Sequence, residues 1–401
     1  MAISREEIVA KLKSIVGEDN VVTDRAVLED ASHDRFRKYE GYHHVYTNPL
    51  PAAVAFVNSA QEVSEVLRFC NAEKINVVPR TGHSATEGGL ETIVENSVVL
   101  DGSHMNKILD IDPVDMQATA QCGVVLEDLE NEVRKYGFTT GHSPQSKPIA
   151  MMGGLVATRS IGQFSTLYGG IEDMLAGVET VFPDGTICDI KAVPRRSAGP
   201  DIRHVVLGNE GAMNFITKVT VKLWKYYPQF HECMGYTLDR MQDGLRIMRE
   251  IMVEGYRPSV ARLYDAEDGK EHFSHFAAGK CVLLFVTEGP QLISHATAEG
   301  IREIMAKHPE CTPVESKLIE TWFANLNWDA ARIEEERKEV LETNNVCCTT
   351  EISAPWSAVE HIYETCVKRV TEEIPDITIF GATPPTATPT ASTSTSCTGT
   401  T

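Results

Sequence analysis

Several features of common protein classes are missing from this sequence. No apolar run approaches the ~18–20 residues that a membrane-spanning helix needs. The ten cysteines include no C-x-x-C pair, so their spacing predicts no metal site, and reduced thiols are expected. With 37 basic against 57 acidic residues, the net charge of −20 argues against nucleic acids and anionic membrane surfaces as partners.

The start of the chain also lacks the apolar stretch of a signal peptide, so we expect a cytoplasmic protein. Ser4 and Glu7 instead have the spacing of a capping box, which predicts that a helix begins at once. A length of 401 residues suggests two or three domains rather than one small core. We therefore expect a helical segment, residues 1–47, ahead of larger units.

Short strands with few helices dominate residues 48–227. An apolar run at 52–57, a helical pattern at 58–74 and a second apolar run at 75–80 predict a βαβ unit. Three more strand candidates, a helix and a D-G hairpin signal at Asp184 follow along the chain. This mixture predicts an α+β domain.

The pattern changes in residues 228–381, where helices and apolar strands alternate. Helical spacing at 241–255 and 294–308 is interleaved with strand candidates at 260–266 and 281–289. Alternation of this kind predicts a second α+β domain with an antiparallel sheet. We call this predicted unit the cap domain.

Four segments are rich in glycine and small polar residues, which is typical of binding loops. They are residues 79–91, 140–173, 194–217 and 350–357. Backbone amides in such glycine turns can hold phosphate, but a plain surface loop is an equal alternative for the first segment alone. The fingerprint G-x-G-x-x-G is absent, which argues against a Rossmann fold.

Six motifs occur in order across these segments: T-G-H-x-P-x-S, G-G, A-T-R-x-x-G, Y-G-x-I-E-D, P-R-x-S-x-G-P-D-I and E-x-S-A-P-W. With them the chain resembles the flavoproteins of the p-cresol methylhydroxylase (PCMH) and vanillyl-alcohol oxidase class, and most closely the alkylglycerone-phosphate synthase family. The flavin-linked lactate and glycolate dehydrogenases usually have T-N where this chain has Thr158 and Arg159. The resemblance implies a PCMH-type, two-subdomain FAD-binding domain followed by the α+β cap domain.

The same resemblance implies FAD as the cofactor, held chiefly by two glycine-rich stretches. The residues implied to carry its pyrophosphate on their amides are Arg80, Thr81, Gly82, His83, Ser84, Ala85 and Thr86. Those implied to line the rest of the cofactor are Pro144, Ser146, Gly153, Gly154, Thr158, Arg159 and Gly162. Ile216 would meet the pyrimidine edge of the flavin, and Glu210 belongs to the turn before it.

His83 stands where several oxidases of the wider class attach the flavin covalently. The synthase family has a small residue at this position and holds FAD without a covalent bond. We therefore expect noncovalent FAD, with a covalent link through His83 as the alternative. A histidine that faces solvent or lies behind the cofactor is the ordinary interpretation of such a residue.

Two arginines match the positions at which the family binds the substrate phosphate. Arg262 lies in a pattern like the family's I-R-L-x-D, and Arg337 lies 14 residues before Glu351, as the family's spacing requires. A guanidinium suits phosphate because its planar fork donates two parallel hydrogen bonds. For Arg337 a solvated helix face is an equal interpretation, since glutamates surround it, whereas Arg262 in an apolar strand needs a partner.

The resemblance therefore implies an FAD-dependent synthase that exchanges the acyl group of acyl-dihydroxyacetone phosphate for a long-chain alcohol, a step in ether lipid synthesis. In this reaction flavin N5 holds the substrate carbon, without net redox change. The first alternative is FAD-linked oxidation of a 2-hydroxy acid such as D-lactate or glycolate, and the second is FAD binding without activity. The expected partner is a small phosphate- or carboxylate-bearing molecule, and a homodimer is left open.

The last 20 residues, 382–401, contain nine threonines and no charge, and they follow a segment that reads as a buried strand. We expect them to be disordered. If the codons of this tail are read one base out of step, they can encode "GHSPHSYPNGINLYF". This string is similar to the family's S-H-x-Y-x-x-G-x-x-x-Y-F strand. We therefore expect a shifted reading frame and the loss of the family's C-terminal part, with its catalytic tyrosine and histidine cluster. A Thr/Pro-rich linker is the alternative.

Overall fold

The computed structural model describes residues 3–35, 48–193, 196–277, 279–343, 345–374, 379–386 and 392–400. Helix α1, Arg5–Val16, begins at the predicted capping box. Ser4 Oγ accepts from the Glu7 amide at 3.2 Å, and the Glu7 carboxylate accepts from the Ser4 amide at 2.9 Å. This exchange satisfies two amides that a helix start would leave free, which confirms the predicted start.

The first sheet has the order β1-β2-β4-β3. Its strands are β1 (Val21–Val22), β2 (Ala53–Phe56), β3 (Val77–Arg80) and β4 (Val98–Asp101). The predicted βαβ unit is present, with helix α3 (Ala60–Glu73) between β2 and β3, but β4 lies between them and pairs with both in parallel. Strand β4 is buried along its whole length, as expected for a parallel strand covered on both faces.

Described residues ahead of β2 contribute both to this sheet and to its apolar core. Strand β1 pairs antiparallel with β2, and Leu12 of α1 is packed in the same apolar core as Val63 of α3. A second helix, α2 (Arg25–Ala31), leads to residues 32–35. The remainder of the predicted segment, 36–47, lies outside the described residues.

The second sheet is antiparallel and has the order β5-β6-β10-β8-β9. Its strands are β5 (Ile108–Asp112), β6 (Gln117–Gln121), β8 (Leu175–Val181), β9 (Ile187–Ile190) and β10 (Phe215–Lys222). The hairpin predicted at Asp184 joins β8 to β9. Helix α4 (Leu126–Lys135) buries Leu129 and Val133 against this sheet.

The segment 140–173 contains more helix than the sequence predicted. Three short helices interrupt it: α5 (Met152–Ala157), α6 (Ser165–Tyr168) and α7 (Ile171–Met174). Helix α8, Arg203–Val206, lies in the third glycine-rich segment. Strands β7 (Phe138–Thr139) and β11 (Trp224–Lys225) then pair where the chain leaves the second sheet.

The cap domain is built on an antiparallel sheet of order β13-β14-β12-β15, as predicted. The strands are β12 (Glu232–Leu238), β13 (Val260–Tyr264), β14 (Cys281–Thr287) and β15 (Thr312–Val314). The helices are α9 (Met241–Val253), α10 (Ala266–Ala277), α11 (Gln291–Met305) and α12 (Ser316–Ala324). The predicted α+β fold, with an antiparallel sheet in the cap domain, is therefore confirmed.

The remaining elements are α13 (Ala330–Thr343), β16 (Asn345–Ser353), α14 (Trp356–Glu373), β17 (Ile379–Thr386) and β18 (Ser392–Thr400). Strand β18 pairs with β16 and β17, whereas the sequence predicted disorder for residues 382–401. Threonine favours strands, and backbone pairing needs no apolar side chain. The reading-frame hypothesis stays a prediction. Within the described part of the chain, no helix is long and apolar enough to span a bilayer.

Candidate functional site

A cavity of about 400 Å³ opens between the loop after β3, helix α5 and the start of β10. It brings together glycine-rich segments that lie far apart along the sequence. The predicted cofactor residues that line it are Arg80, Thr81, Gly82, His83, Ser84, Ala85, Thr86, Ser146, Gly153, Gly154, Thr158, Glu210 and Ile216. The volume lies in the range typical of small-molecule sites.

The loop that follows β3 presents unpaired backbone donors to this cavity. Within the described part of the chain, none of the amides from Thr81 to Thr86 donates a hydrogen bond to a protein acceptor. These residues are half-buried, and successive free amides in a glycine-containing loop beside a cavity can bind an anion. These donors suit the pyrophosphate of FAD.

Close backbone approaches shape this loop. A Cβ on Gly82 would lie 2.6 Å from the Ile149 carbonyl oxygen, and one on Gly211 would lie 2.1 Å from Pro79 Cγ. Gly211 also has a φ of +81°, which side chains rarely tolerate. Glycine is therefore required where the loop meets helix α5 and the turn before β10.

Residues 33–35 hold the loop in place at its N-terminal side. His83 Nε2 lies 2.9 Å from the His33 carbonyl oxygen, and the Arg35 amide donates to the Ala85 carbonyl at 2.9 Å. The Gly88 amide donates to the Asp34 carboxylate at 2.6 Å. The loop is thus shaped by chain ahead of the first glycine-rich segment.

His83 adopts a φ of +48° and lines the cavity. Burial, together with the nearby Arg80 cation, lowers its pKa. The neutral ring then donates from Nε2 to the His33 carbonyl. A covalent link between this residue and the flavin stays a prediction.

Three non-glycine residues of the predicted site have left-handed backbones: His83, Arg159 and Glu210, with φ values of 48°, 53° and 50°. Such conformations cost free energy and tend to persist where function needs them. The Glu210 amide donates to the Ala157 carbonyl at 2.9 Å, at the end of α5. Two of these three residues, His83 and Glu210, line the cavity.

Three predicted cofactor residues, Pro144, Arg159 and Gly162, do not line the cavity. Arg159 is turned toward His204 and Glu172, at 3.5 and 3.9 Å. A Cβ on Gly162 would lie 2.6 Å from the Ser143 amide nitrogen, so this glycine allows two segments to pack. The Arg80 guanidinium is paired with Asp101 at 2.7 Å. Its charge is therefore already neutralised, and Arg80 would contact the cofactor through its backbone.

Arg262 lies on β13, where the cap meets the FAD-binding domain. Its Nη1 donates to Gln163 Oε1 at 2.6 Å, and its guanidinium lies 5.1 Å from the ring centroid of Tyr264. Its Nε is buried and has no hydrogen-bond partner among the described residues, and no described carboxylate pairs with it. The desolvation of this half-buried cation is therefore not offset by a carboxylate among the described residues.

Arg337, the second predicted substrate residue, is placed differently. It lies on α13, where it pairs with Asp30 at 3.1 Å and Glu334 at 3.2 Å and donates to the Arg35 carbonyl at 3.1 Å. Its charge is thus neutralised in the fold, and its side chain is neither a solvated helix face nor part of the cavity.

No sequence motif indicated the polar contact that joins the two domains. The Tyr168 hydroxyl of α6 donates to the Glu288 carboxylate, and His231 Nε2 lies 3.5 Å from the same carboxylate. Burial raises the pKa of Tyr168 and of Glu288 and lowers that of His231. These residues come from three distant segments, so only the tertiary structure joins them.

Among the described residues, one group has the spacing of metal ligands: Glu232, His295 and Glu299. Arg302 donates to both glutamates, at 2.7 Å to Glu232. A guanidinium therefore already neutralises these carboxylates, and the group is partly to fully exposed. It does not contribute to the cavity.

Two protein families match separate parts of the chain, one in each domain. A family described as "FAD binding domain" matches residues 51–191, and one described as "FAD linked oxidases, C-terminal domain" matches residues 227–383. The uncharacterized FAD-linked oxidoreductase YgcU of Escherichia coli K12 is 61% identical over 384 residues, which cover 95% of this chain and 79% of the relative. These matches confirm FAD as the cofactor.

More distant relatives differ in their named activities. Alkyldihydroxyacetonephosphate synthase of Caenorhabditis elegans is 31% identical over 54% of this chain and 36% of the relative. Mitochondrial D-2-hydroxyglutarate dehydrogenase of Arabidopsis thaliana is 31% identical over 57% of this chain and 40% of the relative.

Solved structures share the fold at low identity. An alkyldihydroxyacetonephosphate synthase has a TM-score of 0.78 at 20% identity, covering 99% of this chain and 81% of that chain. Substrate-bound p-cresol methylhydroxylase has a TM-score of 0.75 at 14% identity, covering 99% and 82%. The resemblance inferred from the six motifs is therefore confirmed at the level of the fold.

Proposed function

We propose, since the chain belongs to the FAD-linked oxidoreductase family, that it oxidises a small hydroxy compound bearing a carboxylate or phosphate. The observation that carries this proposal is Arg262, a half-buried cation with no carboxylate partner among the described residues. Oxidation fits the family, and an anionic hydroxy acid fits the named substrate of the Arabidopsis relative.

In this proposal one group of residues holds the cofactor, and Arg262 binds the substrate. The amides from Thr81 to Thr86 would hold the FAD pyrophosphate, and the walls formed by α5 and the start of β10 would enclose the rest of the cofactor. When bound, FAD supplies a two-electron acceptor for the hydride lost by a carbinol carbon. Arg262 would bind and orient the anionic group of the substrate, and Gln163 holds its guanidinium at 2.6 Å.

Acyl-to-alkyl exchange on acyl-dihydroxyacetone phosphate is the second candidate. It is favoured by the motif order, including Arg159 where the flavin-linked lactate and glycolate dehydrogenases usually have asparagine. The same Arg262 would then bind the substrate phosphate. The paired state of Arg337 weighs against its predicted role as a second phosphate ligand.

Anaerobic mixing of the FAD-loaded protein with D-2-hydroxyglutarate, D-lactate or glycolate separates these functions. Bleaching of the oxidised-flavin absorbance supports oxidation. Incorporation of a fatty alcohol into acyl-dihydroxyacetone phosphate without bleaching supports the exchange instead. Tightly bound FAD with neither result would identify a flavin-binding protein without either activity.

Replacement of Arg262 tests the proposed anion site. We expect Arg262→Ala to weaken binding of the anionic substrate by about 1.5–3 kcal/mol, or roughly 10–150-fold, because a hydrogen bond to a charged group is lost. FAD content should not change, since Arg262 does not line the cofactor cavity. Arg249→Ala, at an exposed arginine of the same domain, is the matched control. Equal substrate affinity in Arg262→Ala and the parent would show that this arginine is structural.

A further inference from the structure

Gln163 contacts the cap domain from the FAD-binding domain, beside Arg262. It lies between helices α5 and α6, and its side chain is half-buried. Its Oε1 accepts a hydrogen bond from Arg262 Nη1 at 2.6 Å. A guanidinium has donors and no acceptor, so the oxygen of the Gln163 amide must face Arg262 and the nitrogen must point elsewhere. The contact therefore fixes which way this amide is turned.

The nitrogen of the same amide is an accessible donor. Gln163 Nε2 has no hydrogen-bond partner among the described residues, and it is not one of the buried polar atoms that lack a partner. It is therefore open to solvent, with two N–H groups available. Because Oε1 and Nε2 are bonded to one carbon atom, these donors lie close to the Arg262 guanidinium. The two side chains together present a positive charge and neutral donors in one place.

The described polar and ring contacts of the Arg262 guanidinium are with neutral groups. One is the Gln163 amide, and the other is the ring of Tyr264, whose centroid lies 5.1 Å from the guanidinium carbon. A carboxylate in the place of Gln163 would neutralise the charge, as Asp101 does for Arg80 at 2.7 Å. An amide holds the guanidinium and leaves its charge in place. A glutamine at this position therefore suits a site for an anion.

The backbone of Gln163 is held by a neighbouring loop. Its amide donates to the Ser143 carbonyl at 3.0 Å, and a Cβ on Gly162 would lie 2.6 Å from the Ser143 amide nitrogen. Ser143 Oγ in turn accepts from Asn327 Nδ2 of the cap domain at 3.0 Å. A group presented from backbone that is held in this way loses less conformational entropy on binding than a free surface side chain.

We infer that Gln163 is a second substrate-binding residue, whose Nε2 donates to the same oxyanion that Arg262 binds. The inference rests on the proposed anion site at Arg262, and it adds a donor that no sequence motif indicated. Arg262 supplies the charge and Gln163 supplies a directed hydrogen bond. The pair would thus bind a carboxylate or phosphate group through two of its oxygens. A glutamine that only joins the two domains is the alternative, and the experiment separates the two roles.

Anion binding to the FAD-loaded full chain tests this role without turnover. The probes are oxalate, which has no hydroxyl group to oxidise, and inorganic phosphate, each titrated by calorimetry. The probe that binds the parent more tightly identifies the anion as carboxylate or phosphate. We expect Gln163→Ala to weaken binding of that probe roughly tenfold, because a hydrogen bond to a charged group is lost.

Gln163→Glu distinguishes a binding role from a structural one. Its carboxylate would pair with Arg262 and remove the amide donors, so binding of the probe should be lost. Its melting temperature should equal or exceed that of the parent, because the contact between the domains becomes a charge-assisted hydrogen bond. A merely structural contact would be kept or strengthened by this change, with no effect on anion affinity.

Asn327→Ala is the matched control, because it removes a neighbouring contact between the domains without touching the one between Arg262 and Gln163. It should bind the probe as the parent does. An equal loss of affinity in Asn327→Ala and Gln163→Ala would overturn the inference, since Gln163 would then act through the domain contact. Parent-like affinity in Gln163→Glu, or a parent that binds neither probe, would overturn it as well. Absence of flavin bleaching by hydroxy acids would instead refute the proposed oxidation, without altering these affinities.

Discussion

His142 should make the protein sensitive to mild acid. It is 3% exposed, its Nε2 lies 3.1 Å from Ser160 Oγ, and its Nδ1 has no hydrogen-bond partner among the described residues. Burial lowers its pKa from 6.5 to about 4, with Glu130 opposing the shift. The fold therefore holds this ring neutral in a place where a charged imidazolium is poorly solvated.

The sign and size of the effect follow from proton binding. In the unfolded chain His142 takes up a proton as the pH falls through 6.5, whereas in the fold it does so only near 4. Its contribution to stability is thus present above pH 6.5 and is lost as the pH falls toward 4. A difference of about 2.5 pH units at 1.36 kcal/mol each gives about 3 kcal/mol in full, and about 2 kcal/mol near pH 5.

Urea unfolding at about pH 7.5 and about pH 5 measures this loss in the parent and in His142→Gln, whose side chain stays neutral. The parent should lose about 2 kcal/mol more than the variant between the two conditions. His204→Gln, at an exposed histidine, should behave like the parent and serves as the control. Equal losses in His142→Gln and the parent would refute the reasoning.

Two further predictions concern the cofactor loop and the domain joint. Gly82→Ala should abolish FAD retention on gel filtration, because its Cβ would lie 2.6 Å from the Ile149 carbonyl oxygen, whereas Gly89→Ala, with 3.4 Å to the nearest atom, should retain it. For Glu288 burial raises the pKa, so its contribution to stability is lost as the pH rises through that raised value. The parent should therefore lose thermal stability as the pH rises from about 5 to about 8, and Glu288→Gln should lose less over the same range. Melting temperatures measured across this range test the prediction, and an equal fall in both proteins would contradict it.

The sequence predicted most elements whose pattern is local. The helical spacing of α3 and α9 and the hairpin at Asp184 lie within single stretches of chain, where periodicity is informative. The position of β4 between β2 and β3 was not predictable in this way, because strand order depends on contacts between distant segments. The short helices α5 and α6 were missed since tertiary packing, rather than local propensity, holds helices of four to six residues.

The candidate site was likewise predicted only where its features leave a local signal in the sequence. Glycine-rich composition located the loop from Thr81 to Thr86 and the segment around Gly153, although not its helix, because close backbone approach leaves a mark on residue type. The contacts by which residues 33–35 hold that loop left no such mark. The pairing of Arg337 with Asp30 was equally hidden, since its two partners are separated by 307 residues.

Residues 33–35, which hold the cofactor loop, also contact helix α13, far away along the sequence. Arg35 donates to the Ile333 carbonyl of α13, and Arg337 donates back to the Arg35 carbonyl at 3.1 Å. A shift of α13 would thus move the same residues that shape the amides around the pyrophosphate. Any such coupling is reciprocal by thermodynamic necessity. A bound dinucleotide would then stabilise one position of α13 by the same free energy by which that position tightens the dinucleotide.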